Sequence, residues 1–306
     1  MNGSLQGRVA IVTGAGRGIG RATAMALAGC GARVVVNDLG ATLEGDSSED
    51  DPASDVVETI RAREGEAIAN RDSVAEWMGA QRIIESAVDT YGQIDFLVNN
   101  AGLSAGAPVW KLEPELFDRV VRSHLYGTFH CMRAATPFMK ARGFGRIVNL
   151  VSRAGLIGMP GTAAYAAGKG GVFGLTNAAS RDLAAFGITV NAVNPAATET
   201  RMVTTAINEL SAQGEAERRR AEGLRDALQP PEPVGALIAA LCHDGVEGGA
   251  ARFNGQFLYL EKGSVGLFHP IAVDQSRSAE GDWSIATLRS ALAEFEPHDI
   301  GAVYGG

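Results

Sequence analysis

The chain alternates short, unbroken apolar runs with longer stretches of helical character. Runs at residues 8–13, 33–37, 67–71, 94–99, 146–151, 188–193 and 255–260 read as seven strands. A helical stretch covers 21–30, and another begins near Pro114 and runs through His124. Pro114 suits the first turn of a helix, whereas Pro137 should kink or interrupt this one. Residues 199–229 are charged and helical without strong apolar periodicity. Pro230, Pro231 and Pro233 then punctuate the chain before a last helix over 234–243. Strand–helix alternation of this kind predicts an α/β protein with a parallel, doubly wound sheet.

Composition agrees with a folded enzyme-sized domain. The chain has 306 residues, 46 % of them hydrophobic and 20 % charged, enough to form one large domain with a substantial core. A net charge of −8 disfavours nucleic acid, which requires a basic face. The apolar runs are strand-length, so no membrane span is expected, and a first strand near Arg8 leaves no room for a signal peptide. A cytoplasmic protein is the expectation. Cys30, Cys131 and Cys242 are widely spaced and odd in number, as reduced core residues would be. His243 and His269 have no ligand spacing with neighbouring acids, so no metal is expected. The acidic stretch 44–52 reads as a solvated loop, with partner binding as the alternative.

Chemistry concentrates at two places. Thr13-Gly14-Ala15-Gly16-Arg17-Gly18-Ile19-Gly20 follows the first strand and opens the first helix. Glycines there let backbone N–H groups approach a pyrophosphate at a helix N-terminus. The pattern is T-G-x-x-x-G-x-G and not G-x-G-x-x-G, because position 19 is Ile. Asp38 ends the second strand 18 residues after Gly20, where a carboxylate can bind both ribose hydroxyls of adenosine. The second place is Tyr165-Ala-Ala-Gly-Lys169, with Ser152 thirteen residues upstream. Positions i and i+4 share a helix face, and an ammonium beside a phenol lowers the phenol pKa from ~10. That prepares Tyr165 as an acid/base, with Ser152 hydrogen-bonding the substrate oxygen. Alone, a Tyr and a Lys at this spacing are more often a solvated helix face.

Taken together these motifs resemble the short-chain dehydrogenase/reductase family over roughly residues 5–263. Thr13 to Gly20, including Gly14, Gly16, Arg17, Gly18 and Ile19, matches the family's cofactor loop. Asn99-Asn100-Ala101-Gly102 matches its N-N-A-G segment, Asp72 and Ser73 its adenine contact, and Ser152, Tyr165 and Lys169 its catalytic serine and Y-x-x-x-K pair. The resemblance implies a single Rossmann-type domain over 1–263, with a helical substrate lid near 199–229. An extension, 264–306, carries Trp283, Phe295 and His298 and is expected to pack over the cleft or a neighbouring subunit. There are two departures. His124 stands at the family's catalytic Asn, whose main-chain carbonyl holds a water against the lysine; here the carbonyl survives, or the ring merely packs. Asn194-Pro195-Ala196 replaces the usual Pro-Gly beside the nicotinamide, where Pro195, Ala196, Thr198 and Thr200 are implied contacts.

The Ser-His-Leu-x-Gly form around His124, the end of the second strand at Asn37-Asp38-Leu39-Gly40 and the Leu241-Cys242-His243 segment are similar to one branch. This is the dehydrogenase module of the multifunctional β-oxidation enzymes and its stand-alone bacterial relatives. The branch implies oxidation of a (3R)-3-hydroxyacyl-CoA to the 3-ketoacyl-CoA with NAD⁺ as cofactor. Asp38 would repel the 2′-phosphate of NADP, whereas Arg17 sits where some relatives hold it. Lys169 would also hold ribose hydroxyls. Arg218, Arg219 and Arg220 could meet coenzyme A phosphates, or belong to a solvated helix interleaved with acids. The segment 154–160 suits any lipophilic substrate, so a steroid, terpene or other secondary alcohol is an alternative, and a non-catalytic NAD sensor a remoter one. The family's habit implies a homotetramer or dimer.

Overall fold

The structure is a computed structural model that describes residues 4–43, 46, 49–103, 105–243, 252–269, 273–278 and 284–297. Trp283, His298 and much of the acidic stretch 44–52 lie outside the described residues. Residues up to Leu267 form one compact unit. Its strands are β1 Val9–Thr13, β2 Arg33–Asn37, β3 Ala67–Asn70, β4 Phe96–Asn99, β5 Gly145–Leu150, β6 Ile188–Pro195, β7 Phe257–Glu261 and β8 Ser264–Leu267. The helices are α1 Gly18–Gly29, α2 Pro52–Arg61, α3 Trp77–Tyr91, α4 Pro114–Val121, α5 Gly127–Arg142, α6 Ala154–Ile157, α7 Ala163–Ala184, α8 Arg201–Ser211, α9 Glu215–Ala227 and α10 Glu232–Leu241.

The sheet order is β3-β2-β1-β4-β5-β6-β7-β8, and every pairing from β3 to β7 is parallel. Alternate residues of each strand enter opposite cores, which explains the unbroken apolar runs. Ala10, Val12, Val34 and Val36 pack with α1, α2 and α10 on one face. Val9, Ile11, Val35 and Leu97 pack with α3, α5 and α7 on the other. Strand order reverses between β1 and β4, so the carboxyl ends of those two strands open a crevice of the kind that receives ligands in such sheets.

Several expectations are corrected. Among the described residues the sheet has eight strands, one more than the sequence marks: β8 pairs antiparallel with β7 across the two-residue turn Lys262–Gly263, with φ of 29° and 83°. Two positive φ values are the demand of the tight hairpin turn, but Ser-Val-Gly-Leu is short and exposed and carries no strand signal of its own. Pro137 does not break its helix; it sits on an exposed side of α5. The irregularity lies further upstream, in a single π-turn at Arg122–Tyr126 joining α4 to α5. The charged segment 199–229 is helical, as read, and forms two helices, α8 and α9.

The residues after Leu267 form a second, small unit. Its helix α11, Ile285–Leu292, starts with a capping box in which Ser284 and Thr287 exchange side-chain and backbone hydrogen bonds. Arg277 pairs with Glu294 at 2.8 Å and lies over the ring of Phe295. Among the described residues no helix is long and apolar enough to cross a membrane. Cys30, Cys131 and Cys242 are unbridged, and burial pushes the Cys131 thiol up to about 12.

One buried carboxylate ties the base of the sheet together. Asp95, fully buried, accepts from the Val9 amide at 2.8 Å, from Arg8 at 3.0 Å and from Arg142 at 3.4 Å. It thus joins the start of β1, the approach to β4 and the end of α5. Removing one partner of a buried charged cluster costs about 3–5 kcal/mol. Asp95→Ala is therefore expected to lower the thermal unfolding midpoint by roughly 6–15 °C, measured by calorimetry. A shift under 2 °C would contradict this role.

Candidate active site

At the carboxyl end of β1 the chain turns into the glycine loop and then into α1. Thr13 and Asn100 lock this loop to the end of β4. The Thr13 hydroxyl donates to Val98 O and accepts from the amides of Asn100 and Ala101, while Asn100 Nδ2 donates to the carbonyls of Thr13 and Gly14 at 2.9 Å. A Cβ on Gly20 would lie 2.1 Å from Gly14 O, and one on Gly16 would lie 2.8 Å from an Asp38 carboxylate oxygen. Only bare backbone fits this close. Asp38 itself accepts from the Gly16 and Gly40 amides, both at 2.9 Å.

Beyond the loop is a cavity of about 480 Å³. Of the residues singled out from the sequence, Gly14, Arg17, Gly18, Ile19, Asp38, Asp72, Ser73, Asn100, Ala101, Gly102, His124, Tyr165, Lys169, Pro195 and Thr200 line it. Thr13, Gly16, Gly20, Ser152, Ala196 and Thr198 do not. Thr13 acts as the knot just described, and Gly16 and Gly20 provide clearance. Thr198 is turned inward: its hydroxyl donates to Ala196 O at 2.8 Å and meets Gln229, so it braces the end of β6. Ala196 contributes its amide to Leu260 O. Asp72 is held by Asn70 and, at 2.6 Å, by Arg82.

Walls that the motifs do not mark include Val74, Leu103 and Met202, together with Arg119 and Arg201. Leu103 and Val74 directly follow recognised segments, a signal that adjacency alone could have supplied. Arg119 and Arg201 also contact described residues of the 39–51 connection. Arg17 pairs with Asp50 at 2.7 Å, Arg119 with Asp46 at 3.3 Å and Arg71 with Asp51, while Arg201 donates to Ala41 O at 3.0 Å. The described part of this acidic connection is therefore tied to α1, α4 and α8. On α9, Arg219 pairs with Glu215 at 2.6 Å and Arg218 and Arg220 are exposed, as on a solvated helix.

The chemistry-bearing trio converges as expected. Ser152 follows β5; Tyr165 and Lys169 are one turn apart on α7, and the Ser152 hydroxyl stands near enough to the Tyr165 phenol to favour its ionised form. Lys169 is buried, and its Nζ donates to Leu150 O at 2.7 Å while standing 5.8 Å from the centre of the Tyr165 ring. Withdrawal from water lowers its pKa to about 8. The expected fall in the Tyr165 pKa is not what the structure shows. Burial raises it, and the Ser152 hydroxyl opposes that rise only in part. The ammonium is directed at a carbonyl and the ring, so desolvation of the phenolate prevails.

His124 lies in the π-turn, 2 % exposed. Its carbonyl accepts from the Thr128 hydroxyl at 2.7 Å, its Nε2 lies 2.9 Å from Leu103 O, and its ring meets that of Tyr165 edge-on at 5.1 Å. Burial, reinforced by the Lys169 charge and opposed by the Leu103 bond, lowers its pKa to about 3. The ring is neutral at every pH where the protein would act.

The glycine cradle, the Asp38 carboxylate and the positive end of α1 fit a nicotinamide dinucleotide. Comparison with known proteins agrees. The family model described as short chain dehydrogenase matches residues 8–210. The peroxisomal hydratase-dehydrogenase-epimerase of Saccharomyces cerevisiae is 43 % identical over 196 residues, 64 % of this chain but only 22 % of that protein. This chain therefore spans about a fifth of the length of that multifunctional relative. A 3-oxoacyl-[acyl-carrier-protein] reductase of Synechocystis is 41 % identical over 192 residues, covering 63 % of this chain and 74 % of the reductase. The crystal structure of a short chain dehydrogenase from Mycobacterium avium superposes with a TM-score of 0.79 at 36 % identity, over 96 % of this chain and 97 % of that one. Family model, relatives and superposed fold agree, and the chain belongs to the short chain dehydrogenase family, NAD(P)-binding oxidoreductases that act on CH–OH groups.

Proposed function

We propose that this enzyme oxidises a (3R)-3-hydroxyacyl-CoA to the 3-ketoacyl-CoA with NAD⁺. The observation that carries the cofactor choice is Asp38, whose carboxylate closes the adenosine end of the cleft and would face a 2′-phosphate with like charge. Arg17, the group that could have answered that phosphate, is already engaged by Asp50 at 2.7 Å. A 3-oxoacyl thioester is supported by similarity to an enzyme named for reducing one, and a dehydrogenase step by similarity to a hydratase-dehydrogenase-epimerase. The exposed apolar side chains of α5, Phe129 and Phe138, support association between copies of the chain.

Bound NAD⁺ supplies the hydride acceptor. Ser152 and Tyr165 offer two hydroxyls to one substrate oxygen, and Tyr165 takes the alcohol proton. Lys169, cationic below about pH 8, favours the phenolate by its charge and holds ribose hydroxyls with its remaining N–H groups. The neutral His124 ring keeps the Tyr165 ring from turning.

Tyr165→Phe is expected to reduce turnover by at least 10³-fold while NADH binding, followed by fluorescence titration, stays within twofold. Sizeable residual activity would remove Tyr165 from the acid/base role. Asp38→Ala is expected to narrow the NAD⁺ over NADP⁺ preference in kcat/KM at least tenfold, mainly through gain with NADP⁺; an unchanged ratio would show that selection lies elsewhere. The substrate is tested by NADH formation with (3R)- and (3S)-3-hydroxyacyl-CoAs of several lengths, a 17β-hydroxysteroid and terpene alcohols. Preference for the (3R)-thioesters is expected. Turnover of free alcohols alone would replace the acyl-CoA with a lipophilic secondary alcohol, the reading that the apolar segment after Ser152 accommodates.

A further inference from the structure

Three segments distant in sequence are packed together at the adenosine end of the cleft: Gly16 and Arg17 of the glycine loop, residues 38–40 after β2, and residues 50–52 at the start of α2. A Cβ on Gly40 would lie 2.3 Å from Asp50 O, and one on Gly16 would lie 2.6 Å from Pro52 Cβ. Gly40 also has a φ of 73°, which glycine adopts without the strain of a side chain. Asp51 fixes the third segment from the other side. It caps α2 by accepting from the Ser54 amide at 3.3 Å, and it receives Arg71 Nε at 2.9 Å. The main chain of Asp50 is thus placed by its neighbours and not by its own side chain.

From that position Asp50 accepts from Arg17, Nη2 to Oδ2 at 2.7 Å. Arg17 and Asp38 line the cavity, whereas Asp50 stands behind them. Asp38 Oδ2 is 2.9 Å from the amide of Gly16, the residue next to Arg17. Two carboxylates therefore bracket one guanidinium, and the cluster carries net negative charge. The other arginines of the wall are engaged as well, Arg119 by Asp46, Arg122 by Asp118 and Arg201 by Ala41 O. Guanidinium is the side chain best suited to a phosphate, so a 2′-phosphate entering here would meet Asp38 and find the guanidinium beside it already paired. Arg17 and Asp50 remain 38 % and 60 % exposed, and an exposed pair is a modest obstacle, not an absolute one.

We propose that Asp50 is a specificity residue that acts through Arg17: by holding the guanidinium, it withholds from a 2′-phosphate the group that would attract it. Asp38 repels the phosphate, and Asp50 silences its counter-charge. The proposal rests on the NAD⁺ reading above and is independent of which alcohol is oxidised.

The test is calorimetric titration of the full chain with 5′-AMP and with 2′,5′-ADP, which differ only in the 2′-phosphate. The quantity read is the ratio of the two affinities, because damage to the fold or to the adenosine site moves both ligands together. Asp50→Asn keeps the shape of the side chain and removes its charge. It is expected to shift the ratio about fivefold toward 2′,5′-ADP, and Asp50→Ala is expected to do the same. The shift is expected to vanish without Arg17, so that the double variant Arg17→Ala/Asp50→Asn matches Arg17→Ala. A ratio within twofold of wild type in both Asp50 variants overturns the proposal. So does a full shift in the Arg17→Ala background, since Asp50 would then act by its charge alone. Wild-type protein that binds 2′,5′-ADP more tightly than 5′-AMP would overturn the NAD⁺ reading, while the ratios between variants and wild type would still decide the role of Asp50. No alcohol substrate enters the titrations, so failure of the acyl-CoA reading would leave them intact.

Discussion

The hydrogen bonds between Thr13 and Asn100 are the constraint on which the rest of this cleft depends. Two parallel strands that are neighbours in the sheet but 85 residues or more apart in sequence end side by side, and both must turn away from the sheet at once. Thr13 satisfies three backbone groups of β4 and its exit, and Asn100 satisfies two carbonyls of the glycine loop. Polar backbone at strand ends would otherwise be buried unpaired. With the loop held, the amino end of α1 faces the cavity and Gly102 lies against the His124 ring. The far wall, β5 with Ser152 and α7 with Tyr165 and Lys169, then needs only its own packing against β4 and β6 to complete the site.

Within that frame the site is a contest between burial and charge. Lys169 and Tyr165 are both placed where their ionised forms are disfavoured, and the phenol is pushed in the direction opposite to the one its chemistry needs. The protein supplies partial remedies: the Ser152 hydroxyl for the phenol oxygen and the Leu150 carbonyl for the ammonium. His124 adds neutrality, since a charged ring beside Lys169 would oppose it. A dry cleft makes each remaining charge more effective on whatever enters.

Much of this was legible in the chain because strand–turn–helix boundaries carry strong local signals. Continuous Val/Ile runs marked seven strands, and the glycine loop, Asp38 and the Tyr165–Lys169 pair stood at spacings with a physical purpose. What was not legible depends on tertiary context. β8 has no apolar pattern and exists because a two-residue turn folds it back on β7. Pro137 is tolerated on an exposed side of α5, and the π-turn at His124 carries no glycine or proline to announce it. Thr198, named with its neighbours as a cofactor contact, points inward because Gln229 is there to receive it. The direction in which the Tyr165 pKa moves could not be read from spacing, since a helix places the lysine nearby but does not fix what its ammonium faces.

The neutral His124 and the depressed Lys169 have a consequence for the acid and alkaline tolerance of the whole fold. An unfolded chain would bind a proton at His124 below about pH 6.5, whereas the folded one resists until about 3. Between those values the unfolded state holds more protons, so stability falls as pH falls through this window. Lys169 acts in the same sense between about 8 and its ordinary value of 10.5: the penalty of burying its ammonium is fully present below pH 8 and fades as pH rises. A tenfold difference in proton affinity between folded and unfolded chains is worth about 1.4 kcal/mol, a large fraction of the ~5–15 kcal/mol that hold a domain together. The cleft is thus a place where the fold is weakened by its own chemistry: loss of the Lys169 proton relieves it as pH rises, whereas the raised pKa of Tyr165 acts in the opposite sense once the phenol of the unfolded chain ionises.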